Sequence, residues 1–113
     1  MTPSDLEENM KWVLSTALAI WKDRQRKYGP RNIARQGAAG VLHKAADKLA
    51  RLEHHYLSCE GTPAPQEEGD TILDGWLDGL NYFAMGAMLH LDLWPKLEEL
   101  PPQPELVCKE CGR

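Results

Sequence analysis

From Asp70 to Asp92 the chain reads D-T-I-L-D-G-W-L-D-G-L-N-Y-F-A-M-G-A-M-L-H-L-D. Turned at about 100° per residue, this stretch gathers Ile72, Leu73, Trp76, Leu77, Leu80, Phe83, Ala84, Ala87, Met88 and Leu91 onto one broad apolar arc, so it is expected to be a helix. Asp70, Asp74, Asp78 and Asn81 recur at steps of four, four and three along the border of that arc. Gly75, Gly79 and Gly86 mark a third face. Each glycine costs about 1 kcal/mol relative to alanine inside a helix, and that cost predicts close approach of another backbone.

Two earlier stretches carry the same period. Leu6, Met10, Val13, Ala17 and Ile20 form one row, widened by Leu14, Leu18 and Trp21 and flanked by Trp12. Ser4 and Glu7 have capping-box spacing, and Tyr28-Gly29-Pro30 is a stop. In the second stretch Ala38, Leu42, Ala45, Leu49, Leu52 and Tyr56 align, with His43, Asp47, Arg51 and His54 opposite and Lys44, Lys48 and His55 between the faces. The pattern predicts an all-α bundle of three main helices, at about 4–27, 38–56 and 70–92, with no internal repeat. Leu57 to Gly69 has no period and reads as a loop. Trp94-Pro95 ends the third helix ahead of a short turn through Leu100. The domain is thus expected over 1–100, with an extended Pro-rich tail over 101–113 that carries Cys108 and Cys111.

Composition adds bounds. The 113 residues suit one domain, and 27% charged and 42% hydrophobic residues are ordinary globular values. A net charge of −4 argues against DNA or anionic membranes as partners of the whole surface. Acids stand where a signal peptide carries Lys or Arg, and no apolar run approaches 18 residues, so the expectation is a cytoplasmic protein with no membrane contact. The three cysteines do not suggest a disulfide framework.

Metal chemistry on phosphates wants hard oxygen ligands with open positions for water and substrate. Asp74, Asp78 and Asn81 fit by type and spacing, with Asp70 as an addition, against the plain alternative of a solvated acidic face. The run Lys22 to Arg35 sets many cations against the single acid Asp23. It reads either as a phosphate cradle or as cations favoured at the C-terminal end of a helix. Cys108 and Cys111, spaced C-x-x-C, are half of a zinc site, to be weighed against two unliganded thiols. No P-loop or G-x-G-x-x-G is present.

Taken in order, Tyr28-Gly29-Pro30-x-Asn32-Ile33, Gly37, Gly40-Val41-Leu42, Asp47-Lys48-x-x-Arg51-Leu52, Asp70-Thr71-x-x-Asp74, Asp78 and Asn81-Tyr82 resemble a phage and bacterial family, the nucleotide modification associated domain. The likeness spans roughly residues 20 to 94. That family is in turn similar to the all-α nucleotide pyrophosphohydrolases of the MazG and dimeric dUTPase type, which bind magnesium through acidic pairs on two helices and work as dimers or tetramers.

The resemblance implies catalytic Asp47, Asp74 and Asp78, and a Mg2+ or Mn2+ site of Asp47, Asp74, Asp78 and Asn81. It implies nucleotide contacts from Lys27, Tyr28, Arg31, Asn32, Lys44, Lys48, Arg51 and Tyr82. Of these, the cations would meet phosphates, Tyr28 would stack on a base and Asn32 would read its edge. It also implies a homodimer or homotetramer that completes the bundle. One departure stands out: the E-x-x-E of those enzymes is replaced on helix two by His43, Lys44, Asp47, Lys48 and Arg51. That implies fewer or weaker metals, or nucleotide binding without hydrolysis. The alternative is a non-catalytic helical interaction module whose polar stripe serves packing.

Overall fold

The computed structural model describes residues 1–58 and 71–102. It is all-α: helix α1 spans Pro3–Tyr28, α2 Arg31–Glu53 and α3 Thr71–His90. A π-helical turn, His54–Ser58, extends α2, and a 3-10 turn, Leu97–Glu99, follows α3. Both α1 and α2 pack on α3, chiefly α2. The expected loop over 59–69, Asp70 and the Cys108–Cys111 pair lie outside the described residues.

The first helix begins earlier than the Ser4 cap predicts. Thr2 Oγ1 accepts from the Asp5 N–H at 3.1 Å, and the Asp5 carboxylate accepts from the Thr2 N–H at 2.8 Å. Pro3 occupies the first helical position, where a missing N–H costs nothing, so the capping box sits two residues upstream. Gly29 closes α1 with φ +70°, its N–H bonded to the Gln25 carbonyl at 2.9 Å.

The second helix also starts sooner, at Arg31 rather than Ala38. Ile33 and Ala34 pack against Val41, Met85 and Trp94, so a segment that reads as a basic loop is drawn into the core. The helix continues through a kink at Gly37, whose φ of +67° and ψ of −174° are accessible to glycine alone. The buried row is Val41, Ala45 and Leu52, with half-buried Lys48 between them. Ala45 and Leu52 belong to the predicted row, but Val41 and Lys48 replace Leu42 and Leu49, which are left exposed.

On α3 the assignment of faces changes most. The buried positions are Gly75, Leu77, Asp78, Asn81 and Met85. Trp76 and Phe83, placed by periodicity on the apolar arc, are 53% and 62% exposed. Asp78 and Asn81 of the polar stripe therefore face inward, Asp74 stays exposed, and half the apolar arc faces outward. The glycine face meets side chains instead of a backbone. A Cβ at Gly75 would stand 3.2 Å from Leu52 Cδ2, one at Gly86 3.9 Å from Val41 Cγ1, and one at Gly79 would meet nothing within 4 Å.

The helix ends in a Schellman turn, with Asp92 at φ 58° and the Leu93 N–H bonded to the Met88 carbonyl at 2.7 Å. That reversal carries Trp94 into the core, where its indole N–H donates to the Pro30 carbonyl at 3.1 Å.

Candidate functional site

The inward polar stripe forms the floor of a cleft of about 390 Å³ between the second half of α1, the start of α2 and α3. Asp78 lies at its base with its side chain 7% exposed. Arg24 Nη1 donates to Asp78 Oδ1 at 2.7 Å, and Lys48 Nζ sits 3.3 Å from Oδ2. One buried carboxylate thus ties all three helices together. Its neighbour Asn81 donates through Nδ2 to the Ala17 carbonyl at 3.0 Å, a second tie between α3 and α1.

Aromatic walls rise from this floor. Trp21 stands edge-on to Trp94, ring centroids 6.2 Å apart, so the α1 wall is braced from beyond α3. Tyr82 is part-buried, and Tyr28 is exposed at the mouth. Gln25 and Asn32 add amides to the lining, the Asn32 Oδ1 accepting from Arg35 Nη2 at 2.5 Å.

Of the sequence candidates for nucleotide contact, Tyr28, Asn32 and Tyr82 line this cleft, and Lys48 stands behind Asp78. Lys27 is paired with Asp23 at 3.1 Å, and Arg31 donates to the Pro101 carbonyl. The Asp23 carboxyl is held below the usual range, first by the Lys27 hydrogen bond, then by the Lys27 charge, with Arg26 adding to it. Lys44 and Arg51 are exposed and join no ion pair among the described residues.

The proposed metal ligands do not converge. Asp47 and Asp74 are exposed, both Asp78 oxygens face cations, and among the described residues no three His, Cys, Asp or Glu side chains group to hold an ion. These residues do not fit a metal in this arrangement.

No family model, curated protein or solved structure matches the chain. The site therefore has to be read from its own geometry. Sequence reasoning missed Arg24, Trp21 and Gln25. A signal was present: the α1 row through Ala17 and Trp21, continued at helical spacing, arrives at Arg24, Gln25 and Tyr28. Treating Lys22 to Arg35 as one charge run hid that continuation.

Proposed function

We propose that the cleft binds a nucleotide. The observation that carries this reading is the convergence of three aromatic rings, three side-chain amides and one half-exposed guanidinium on a single pocket. Rings offer stacking surface to a base, amides offer donors and acceptors to its edge, and a guanidinium offers charge-assisted hydrogen bonds to phosphate. The volume lies within the roughly 300–1,000 Å³ of small-molecule sites. The resemblance to nucleotide modification and pyrophosphohydrolase families points the same way. The loss of their acidic pair on α2, and the two cations on Asp78, favour binding over metal-dependent hydrolysis.

The test is calorimetry of the full chain with ribo- and deoxyribonucleotides, with and without Mg2+ or Mn2+, alongside an assay for monophosphate and pyrophosphate. Saturable binding without turnover is the expected result. Metal-dependent pyrophosphate release would restore the hydrolase reading, and silence with every nucleotide would leave only a helical interaction module.

We also propose that a second copy covers the outward apolar face. Leu14, Leu18, Leu49, Trp76, Phe83 and Leu91 are each about half exposed or more. At about 100 Å² apiece they present on the order of 600 Å², close to the roughly 800 Å² each partner gives to a standard interface. The face pairs a ridge with a groove: Trp76 and Phe83 stand out from α3, and an apolar groove of about 380 Å³ is lined by Leu14, Leu18, Ala84 and Met88. A two-fold axis near Leu80 would seat each ridge in the other groove. Sedimentation should show a dimer that Leu18→Asp converts to monomer; a wild-type monomer at 100 μM would refute it. Among the described residues no helix is long and apolar enough to cross a membrane.

A further inference from the structure

Resting on the nucleotide reading, a narrower assignment comes from counting which charges the cleft leaves available. Among the described residues Arg24 is the one cation in its lining. The surrounding cations do not line the cleft: Lys27 pairs with Asp23 and Arg31 with the Pro101 carbonyl, while Arg35 bonds the lining Asn32 and Lys48 shares Asp78 with Arg24 from behind. Arg24 itself spends one contact on Asp78 and is 45% exposed, so the rest of its five N–H donors remain for a ligand. They suffice for one phosphate. Each further phosphate would add charge that no group in the cleft meets, beside a buried carboxylate that repels it.

The base end is equally specific. Trp21, Gln25 and Tyr28 follow one another at i, i+4 and i+7 along α1, so the amide sits between two rings about 10 Å apart along the helix axis. The Gln25 side chain makes no hydrogen bond to the described residues, although it lines the cleft and is part-buried. An amide presents a donor and an acceptor side by side, the arrangement that pairs with a base edge. Asn32 and Asn81 already have partners for half of their amides, which leaves Gln25 as the reader.

We infer that the cleft takes a nucleoside 5′-monophosphate, with Gln25 selecting the base and Arg24 holding the single phosphate. The volume of about 390 Å³ suits one such molecule.

Calorimetry of the full chain without divalent metal, using a nucleoside and its 5′ mono-, di- and triphosphate, tests this. The first phosphate should raise affinity about tenfold, as a charge-assisted contact does, and the second and third should change it by less than about threefold. Gln25→Ala, which leaves the Arg24–Asp78 pair intact, should bring the four bases within about threefold of one another while keeping the phosphate increment. Arg24→Gln should erase the increment. A triphosphate preference of tenfold or more, a nucleoside that binds as tightly as its monophosphate, or base discrimination unchanged in Gln25→Ala would each overturn the assignment. Those results leave nucleotide binding itself standing, whereas no binding of any compound would remove both.

Discussion

Asp78 offers the sharpest test of how the three helices are held. It is the one fully buried member of its cluster, whereas the Arg24 side chain is 45% and that of Lys48 31% exposed. Asp78→Asn keeps the shape and removes the charge, and the two cations it releases can turn to water. The loss is then one charged hydrogen bond and one ion pair, together about 2 kcal/mol after discounting for solvent screening at the exposed cations. For a chain of this length that lowers Tm by roughly 8 °C. The reverse change is worse. Arg24→Met with Lys48→Met keeps both aliphatic stems but strands a buried carboxylate, at about 3–5 kcal/mol. Adding Asp78→Met to that pair should restore stability to within about 1 kcal/mol of the parent, because the charge and its desolvation disappear together. Urea denaturation of the four proteins gives the ordering directly. If the double variant is as stable as Asp78→Asn, the cations are not what holds Asp78 in the core.

Other substitutions probe the surrounding fold. Gly37→Ala forces a side chain into a region open only to glycine and should cost about 1–3 kcal/mol in thermal melts, although nothing lies within 4 Å of the added methyl; a neutral outcome would mean α2 runs straight. Gly79→Ala should stabilise by about 0.5–1 kcal/mol, since the added methyl meets open space, and a loss would reveal a neighbour there. Trp94→Ala removes a buried ring and its bond to Pro30 and should cost about 3–5 kcal/mol, read by denaturation, with weaker nucleotide binding at permissive temperature. Asp5 and Asp23 are both held below the ordinary carboxylate range, Asp5 chiefly by its backbone bond to Thr2. Their contribution is present above the unfolded value, near pH 4, and fades as pH falls through the lower folded values. Asp5→Asn with Asp23→Asn should flatten that acid-side slope, and an unchanged slope would contradict the assignment.

The three helices were legible because their periods are long and uninterrupted, and the breaks at Tyr28-Gly29-Pro30 and Trp94-Pro95 are strong. Facing was harder. On α2, Leu42 and Leu49 complete an apolar row as well as Val41 does, and only the position of α3 selects between them. Lys48 was expected to meet a phosphate; that its half-buried side chain instead reaches Asp78 depends on where α3 lies. On α3, helical period correctly grouped Asp78 with Asn81 but could not say that this stripe turns inward. Its compensating partner, Arg24, lies 54 residues away, beyond any local pattern. The aromatic and amide side of the cleft was partly visible in Tyr28 and Asn32. Trp21 and Gln25 were not, since they belong to a helix that looked finished as a hydrophobic element.

The segment from Pro30 to Gln36 joins its neighbours through Gly29 and Gly37, two positions whose backbone angles other residues resist. Continuity of the chain therefore does little to fix its placement. That falls to sideways attachments: Ile33 and Ala34 against the core, the Trp94 indole on the Pro30 carbonyl and the Arg31 guanidinium on Pro101. The aperture between Asn32 on one side and Trp21 on the other is thus governed by residues that follow α3 and touch none of the ligand. A chain cut after His90 would keep its three helices and lose the grip on one wall, so changes in this distal stretch should alter affinity while the helical content stays the same.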